Sequence, residues 1–291
     1  MILQLKRGRE KSLKRRHPWI FSGAVEKASG KAGDTVDVVD AAKKFVARAA
    51  YSPRSQIRAR VWTFDPQDEV DAGFFRKRIE KALALREALP AARHTNALRL
   101  VHGESDGLPG LVVDRYADVL VAQFLAAGVE RWRDPILDAL TELSGCAAIF
   151  ERSDAEVRKL EGLEPRVGFA RGNRNASRCP IIEHGLNFRV DVEQGQKTGF
   201  FLDQRENRQR IRALAAGREV LDGFCYTGGF AVAALAGGAK RVTAVESSKD
   251  AIEIARENLA ANPLDASRVD FVQADVFSKL RDLRDRNAKF G

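Results

Sequence analysis

The alternation of strand-favouring and helix-favouring segments in the last third of the chain constrains the fold most strongly. Three short β-favouring segments, each ending in an acidic residue, lie at 219–222, 241–246 and 269–275. Helix-favouring segments separate them, one over 230–236 and one that begins after a cap at Ser247 and stops at Asn262. This alternation predicts a parallel, doubly wound α/β sheet with its ligand at the carboxyl ends of the strands.

The loop at 223–229, GFCYTGG, restricts the class of ligand. It matches neither the G-x-G-x-x-G fingerprint of dinucleotide sites nor the G-K-[ST] ending of a phosphate-binding loop. Acidic residues that close all three strands would repel a pyrophosphate, whereas they suit a nucleoside that carries a positive charge. A nicotinamide-dependent oxidoreductase is therefore disfavoured.

S-adenosylmethionine combines the groups that such a site could bind, namely ribose, adenine, ammonium and sulfonium. We expect Glu246 to accept hydrogen bonds from the ribose hydroxyls. We expect Asp275, with the backbone at Val276, to recognise the adenine amino group, and Asp222 with the loop to hold the cationic amino-acid end. Two loop residues that let the backbone approach a ligand closely are Gly228 and Gly229.

The net charge of +9 is concentrated at the N-terminus, where residues 1–16 alone carry +6. Aromatic residues follow directly in the segment 17–23, HPWIFSG. Because basic side chains bind phosphates and aromatic rings stack on unpaired bases, this combination predicts RNA binding. Two arginines in a predicted strand over 56–63 lie on one face and extend the set. The candidate RNA-binding residues are Lys6, Arg7, Lys11, Lys14, Arg15, Arg16, His17, Trp19, Arg58 and Arg60.

The length of 291 residues allows two or three domains. Residues 1–70 favour short strands and predict a small β barrel, and residues 71–180 predict an α+β module that ends in a basic linker at 165–180. Residues 181–291 contain the alternating segments. The fold class is therefore α/β for the last domain, preceded by a β barrel and an α+β domain.

Several classes of protein are excluded. The three cysteines lie 33 and 46 residues apart without a C-x-x-C motif, which argues against a disulfide framework and a zinc site. No run of about 18 apolar residues predicts a membrane-spanning helix, and the basic N-terminus lacks the apolar stretch of a secretory signal. We therefore expect a cytoplasmic protein without a metal or a membrane partner.

Several segments together resemble one family. The segment 220–239, VLDGFCYTGGFAVAALAGGA, is similar to the first motif of class I S-adenosylmethionine-dependent RNA methyltransferases, and 194–205, QGQKTGFFLDQR, resembles the signature that precedes it in one branch. That branch is the ribosomal RNA large subunit methyltransferase I family, which makes 5-methylcytosine in 23S rRNA. Segments 8–25 and 52–65 resemble its RNA-binding PUA domain, and 103–116 resembles its middle domain.

The resemblance implies further cofactor-binding residues and a partner. Lys197 and Arg205 are expected to pair with acids, one of them Asp203, and Phe200 or Phe201 is expected to close over the cofactor. The remaining members of the implied cofactor set are Thr198, Phe224 and Tyr226. The implied partner is 23S rRNA, with a homodimer as a possible assembly.

The resemblance also implies a mechanism that this chain does not complete. A cysteine thiolate adds to carbon 6 of cytosine so that carbon 5 can attack the methyl group. The family carries that cysteine after an Asp-Pro-Pro motif, and the chain ends at Gly291 before the expected fourth strand. We therefore expect an incomplete methyltransferase domain that does not methylate RNA, with Cys225 holding the cofactor loop rather than acting as nucleophile. Methylation of another base, such as guanine N7, and a non-catalytic RNA-binding fragment remain alternatives.

Overall fold

The computed structural model describes residues 1–172 and 178–291. The chain forms two compact units, one made of residues 1–92 and 98–176 and the other of residues 93–97 and 177–291. The second unit is therefore discontinuous in sequence, because a short segment from the first half of the chain belongs to it. We describe the two units separately.

The first unit contains eleven strands within its described residues, namely β1 (Ile2–Leu5), β2 (Trp19–Phe21), β3 (Val25–Ala28), β4 (Thr35–Val39), β5 (Phe45–Tyr51), β6 (Ile57–Thr63), β7 (Ala97–His102), β8 (Leu111–Tyr116), β9 (Val119–Phe124), β10 (Ala148–Ser153) and β11 (Arg166–Arg171). Its helices are α1 (Lys11–Lys14), α2 (Ala72–Glu87), α3 (Ala127–Arg131), α4 (Arg133–Ser144) and α5 (Val157–Glu161). The first residue of β7 is assigned to the second unit.

The N-terminal strands form a six-stranded sheet in the order β2-β6-β5-β4-β1-β3. Alternate side chains of these strands point to one buried face, as the period of two along a strand requires. Leu3, Leu5, Val36 and Val38 are among the fully buried residues of that face. The predicted strands over 34–39, 45–51 and 56–63 are present as β4, β5 and β6.

A five-stranded sheet in the order β11-β10-β9-β8-β7 packs with α2 and α4 to form the α+β part of this unit. Trp62 of β6 packs edge-to-face on Phe75 of α2, with ring centroids 5.1 Å apart. Both rings belong to one continuous hydrophobic core. The predicted boundary near residue 70 therefore divides segments that share a core.

The predicted linker at 165–180 is wrong over most of its described length. β11 (Arg166–Arg171) pairs antiparallel with β10, and a new strand begins at Arg178. Arg166 and Arg171 donate to acidic side chains of other elements, so the charges that suggested a solvated linker instead neutralise carboxylates of the folded unit. Residues 173–177 of that prediction lie outside the described residues.

The second unit begins with an antiparallel ribbon and continues as the predicted alternation. Its elements are β12 (Arg178–Glu183), β13 (Leu186–Asp191), α6 (Arg205–Leu214), β14 (Glu219–Gly223), α7 (Gly229–Ala236), β15 (Arg241–Glu246), α8 (Lys249–Ala260), β16 (Val269–Gln273) and α9 (Val276–Asp285). Strands β14, β15 and β16 are neighbours and parallel, which confirms the predicted α/β topology. The cap of α8 is Ser248 rather than Ser247, because the Ser248 hydroxyl accepts a hydrogen bond from the Ala251 amide.

The inserted segment 93–97 forms hydrogen bonds along the edge of β12. Thr95 forms an antiparallel bridge with Glu183, and the Ile182 amide donates to the Asn96 side chain over 2.7 Å. The His184 amide donates to the His94 carbonyl over 2.8 Å. These contacts give the ribbon a third, short strand-like partner.

Candidate functional site

The loop between β14 and α7 has an unusual backbone. Phe224 and Tyr226 have positive φ angles of 59° and 49°, and Gly228 has a φ of 74°. A left-handed conformation costs a non-glycine residue about 1–3 kcal/mol and is concentrated at functional sites. The loop is held in place because the Cys225 amide donates to the Val245 carbonyl over 3.0 Å. Its strained shape therefore points to a role in ligand binding.

Glu246 at the end of β15 is held against this loop. Its Oε2 accepts a hydrogen bond from the Tyr226 amide over 3.0 Å, and its Oε1 accepts from the amides of Ser247 and Ser248 over 2.8 Å and 3.0 Å. The carboxylate is thus fixed by three backbone donors. Oε2 retains a lone pair for a further donor such as a hydroxyl.

Asp222 presents an unsatisfied carboxylate oxygen at the end of β14. Its Oδ2 is buried and accepts no hydrogen bond from the described residues. Burial, opposed by a hydrogen bond from the Ala231 amide and aided by the nearby charge of Glu246, raises the pKa of Asp222 to about 7. A cation placed beside this oxygen would restore its ionised form.

The third acidic residue lies at the beginning of α9. Asp275 Oδ1 accepts a hydrogen bond from the Ser278 amide over 2.8 Å, which caps the helix. Hydrogen bonds from the Ser278 side chain and then from its amide lower the pKa of Asp275. Val276 is buried. Phe224 and Phe277 remain exposed, and their ring centroids lie 5.5 Å apart. The apolar surface beside Asp275 is therefore formed by two aromatic rings.

The segment 194–205 reaches the same loop through Tyr226. The Tyr226 hydroxyl accepts a hydrogen bond from the Gln196 amide over 2.7 Å and lies 3.2 Å from the Gly199 carbonyl, to which it donates. The Tyr226 ring also packs edge-to-face on Phe201, at a centroid distance of 5.5 Å. Tyr226 thus joins the two segments that resemble the family signatures.

Lys197 and Asp203 lie beside this contact. The Lys197 ammonium is 2.8 Å from Asp203 Oδ1 and 4.3 Å from the centroid of the Phe201 ring. The hydrogen bond from Lys197 lowers the pKa of Asp203. The expected pairing of Lys197 with Asp203 is present, and both side chains are exposed enough to contact a ligand.

Three other residues of the implied cofactor set face the interior. Phe200 is 3% exposed and packs between the Phe188 ring and the Arg208 guanidinium. Arg205 is buried and lies 3.4 Å from Glu183 Oε2. Thr198 is 1% exposed. These positions argue against direct contact through the side chains of Phe200 and Arg205, which protein already encloses. Phe201 is the more accessible of the two phenylalanines, being half-buried.

Two residues that the sequence patterns did not indicate belong to the site. Thr227 is 3% exposed, and its hydroxyl has no hydrogen-bond partner among the described residues. Asn258 of α8 is fully buried and donates from Nδ2 to the Thr227 carbonyl over 2.9 Å. Asn258 could have been noticed as a polar residue on the apolar face of its helix. Thr227 carries no such signal beyond its place in the loop.

Cys146, Cys179 and Cys225 are buried, and none of them forms a disulfide bond among the described residues. Burial, and then the charges of Asp222 and Glu246, raise the pKa of the Cys225 thiol well above its usual range. Because the thiolate is the nucleophilic form, Cys225 is poorly suited to attack a base. Cys179 lies in β12 and is fully buried, rather than in a linker.

The basic N-terminal segment is exposed as expected. The exposed basic residues of the candidate set are Lys6, Arg7, Lys11, Lys14, Arg15 and Arg16. His17, Trp19 and Phe21 form an aromatic cluster beside them, with ring centroids 6.0 to 6.4 Å apart. Phe21 is 49% exposed. Cations and aromatic rings therefore share one surface of the first unit.

The two strand arginines do not belong to this surface. Arg60 is buried, and its Nη1 lies 2.7 Å from Glu161 Oε1. Arg58 is partly buried and donates to the Pro53 carbonyl. The prediction that Arg60 binds RNA is wrong, because its charge is neutralised inside the unit. Arg58 is left with a smaller accessible surface than the N-terminal residues.

Membrane-spanning helices and clusters of metal-binding side chains are both absent from the described part of the chain. Within residues 1–172 and 178–291 no helix combines the length and the hydropathy needed to cross a bilayer. The same residues contain no group of three or more His, Cys, Asp or Glu side chains arranged to hold a metal ion.

Comparison with known proteins identifies similar sequences. The family model for S-adenosylmethionine-dependent methyltransferases matches residues 171–289, and a PUA-like domain model matches residues 3–64. Ribosomal RNA large subunit methyltransferase I of Escherichia coli (strain SMS-3-5) is 50% identical over 99% of this chain and 73% of its own length. The protein of the same name from Shigella boydii serotype 4 is 49% identical over the same shares.

Two solved structures are similar over the whole chain. One is SMU.776, assigned as a methyltransferase and solved in complex with SAH, with a TM-score of 0.87 and 25% identity over 100% of this chain and 74% of that one. The other is a protein from Streptococcus mutans assigned as an S-adenosylmethionine-dependent methyltransferase. It has a TM-score of 0.85 and 26% identity over 100% of this chain and 75% of that one.

Proposed function

The chain belongs to the ribosomal RNA large subunit methyltransferase I family, and on this premise we propose that it binds S-adenosylmethionine and 23S rRNA for methylation of carbon 5 of a cytosine. The observation that carries the cofactor proposal is the buried, unsatisfied Oδ2 of Asp222 beside a strained loop. The RNA proposal rests on the exposed basic segment and its aromatic neighbours. A protein that acts on rRNA would work in the cytoplasm.

The residues present fit S-adenosylmethionine. Asp222 Oδ2 is a buried carboxyl oxygen that accepts no hydrogen bond from the described residues, and the ammonium of the methionine end would supply a donor and favour the ionised form. Glu246 is oriented by backbone amides and can accept from ribose hydroxyls. Phe224 and Phe277 offer exposed rings near Asp275 for the adenine. When bound, the cofactor supplies an electrophilic methyl group.

Residues of the 194–205 segment would orient the same ligand. Lys197 and Asp203 form an exposed ion pair beside the Phe201 ring. Tyr226 ties the backbone of this segment to the cofactor loop through its hydroxyl. We infer that these residues close the methionine side of the site, with Phe201 taking the part that was expected of Phe200 or Phe201.

We propose cytosine carbon 5 as the target because of the resemblance to the family that makes 5-methylcytosine. That chemistry needs a reactive thiolate. Cys146, Cys179 and Cys225 are all buried, and the pKa of Cys225 is raised. We infer that this chain contributes cofactor and RNA binding, and that none of these three thiols acts as the nucleophile.

A methyl-transfer assay tests the target and the role of the cysteines. The 291-residue chain is incubated with tritiated S-adenosylmethionine and unmodified 23S rRNA, with the Escherichia coli relative in parallel. We expect label on carbon 5 of cytosine from the relative and none from the chain, because its thiols are enclosed. Label on guanine N7 in the relative's reaction would contradict the base assignment. Label from the chain that disappears in Cys225→Ser would show that Cys225 is the nucleophile after all.

Glu246→Ala tests the ribose assignment. We expect the free energy of SAH binding to become less favourable by about 1–3 kcal/mol. The ribose hydroxyls lose a charged acceptor that backbone amides hold in place. Isothermal titration calorimetry measures this loss directly. Glu253→Ala is the matched control, since that side chain on α8 is 56% exposed and forms only a surface pair with Lys249. Equal affinities for the two variants would refute the assignment.

A further inference from the structure

Two buried asparagines lie one helical turn apart at the end of α8. Asn258 is fully buried, and Asn262, just beyond the helix, is 6% exposed. Each side chain forms hydrogen bonds with backbone groups through both its nitrogen and its oxygen. A buried amide costs free energy unless it is hydrogen-bonded, so these contacts are part of the fold. The backbone groups that the two side chains bind are different, however.

Both asparagines hold the edge of β13 that faces away from β12. The Arg189 amide donates to Asn258 Oδ1 over 2.6 Å, and the Asn187 amide donates to Asn262 Oδ1 over 2.8 Å. Asn262 Nδ2 donates in turn to the Asn187 carbonyl over 2.8 Å. Since alternate residues of a strand present their backbone groups to the same edge, α8 takes the place of a neighbouring strand beside β13.

Asn258 binds the loop between β14 and α7 as well. Its Nδ2 donates to the Thr227 carbonyl over 2.9 Å. Asn262 Nδ2 donates instead to the Asn258 carbonyl, over 2.7 Å. One side chain, that of Asn258, therefore joins β13, α8 and the loop, whereas the contacts of Asn262 with described residues join β13 to α8.

The Thr227 carbonyl lies at the most constrained point of this loop. Tyr226 before it and Gly228 after it have positive φ angles of 49° and 74°. A left-handed non-glycine residue persists only where its surroundings hold it in place. α8 packs so closely here that a Cβ on Gly228 would lie 3.0 Å from the Ala255 Cβ. A hydrogen bond to the carbonyl between the two left-handed residues fixes the orientation of that peptide group.

We propose that Asn258 is a positioning residue for the cofactor, which it affects through the Thr227 carbonyl without touching the ligand. The inference rests on the proposed function, in which this loop binds S-adenosylmethionine. Loss of the donor would free the peptide group of Thr227 and let Tyr226 relax. The Tyr226 amide, which donates to Glu246 Oε2 over 3.0 Å, would then no longer orient the carboxylate that is expected to bind the ribose.

Paired leucine variants separate positioning from stability. Asn258→Leu removes the hydrogen bonds to β13 and to the loop, and Asn262→Leu removes the matching contacts with β13. Amide hydrogen exchange should become faster in β13 and α8 of both variants. In isothermal titration calorimetry we expect SAH affinity to fall by about tenfold or more in Asn258→Leu and to stay unchanged in Asn262→Leu. Equal SAH affinities for the two would show that Asn258 only stabilises the unit.

Asn258→Asp tests the donor itself and stays closest in shape to the native side chain. A protonated carboxyl can donate to the Thr227 carbonyl and accept from the Arg189 amide, whereas an ionised one can only accept. Burial raises the pKa of such a group, so the ionised form appears within the range of about pH 5 to 9. The SAH dissociation constant of this variant, divided by that of the unaltered chain at each pH, should increase across that range. A constant ratio would overturn the proposal, even if Asn258→Leu does not fold.

Failure of this inference differs in its result from failure of the proposed function. If the unaltered chain binds SAH and the Asn258 variants bind it equally well, the cofactor assignment stands and Asn258 has no positioning role. If the unaltered chain does not bind SAH, the cofactor assignment is wrong and the positioning role is wrong with it.

Discussion

Arg208→Ala is expected to destabilise the second unit by about 3–5 kcal/mol, because it leaves a buried carboxylate without its main partner. Glu183 is 2% exposed and accepts from Arg208 Nε and Nη2 over 2.6 Å and 2.8 Å. The same guanidinium covers the Phe200 ring. Truncation of Arg208 therefore removes both a charge pair and the packing of an aromatic side chain.

Amide hydrogen exchange can locate this destabilisation in the second unit. Peptides from β12, β13 and α6 should exchange faster in Arg208→Ala, while peptides from the first unit keep their protection. Arg210→Ala is the matched control, because Arg210 lies on the same helix and is exposed. If both variants exchange alike, the buried pair does not stabilise the unit.

SAH binding is expected to strengthen as the pH rises from 5 to 7, by up to about tenfold per pH unit. In the ligand-free protein the pKa of Asp222 is about 7, so the carboxyl is largely protonated below that pH. An ammonium group beside Oδ2 would lower this pKa, and binding below pH 7 would then release a proton. Above pH 7 the carboxyl is already ionised and the dependence should disappear.

Calorimetry in buffers of different ionisation enthalpy measures the released proton. Asp222→Asn should bind SAH weakly at every pH between about 5 and 7.5, without this proton release. A pH-independent affinity for the unaltered chain would contradict the assignment. The free energy of unfolding of the ligand-free protein should show the opposite pH dependence. Because the pKa of Asp222 is raised on folding, this group contributes stability below about pH 3.8 that is lost as the pH rises through 7.

Local patterns were sufficient to predict the α/β topology. Strands β14, β15 and β16 begin and end close to the predicted positions, because their apolar runs and acidic ends are encoded within a few residues. The prediction of a linker at 165–180 was wrong because the partners of its charges are distant in sequence. Its arginines resemble a solvated linker until Glu130 and Asp138, about 35 residues earlier, are seen to pair with them.

In the candidate site, too, local patterns predicted some residues correctly, and contacts with distant residues decided the others. Asp222, Glu246 and Asp275 were placed at the carboxyl edge from sequence alone, since parallel strands bring their ends together. The strand pattern predicts an RNA-binding face for Arg60, because such a pattern gives the face of a side chain but not what covers that face. Glu161, which covers it, is 101 residues away. The local sequence pattern also could not predict that Phe188 and Arg208 bury the Phe200 ring.

The discontinuity of the second unit has a consequence for how the chain is cut and how it is made. A fragment limited to residues 171–289, the span matched by the methyltransferase family model, omits the segment 93–97. The edge of β12 would then lack the partners of Ile182 and His184, and a bare strand edge invites pairing between molecules. During synthesis the segment 93–97 leaves the ribosome well before β12, which begins at Arg178. The second unit therefore completes its fold with a segment that was synthesised about 80 residues before β12.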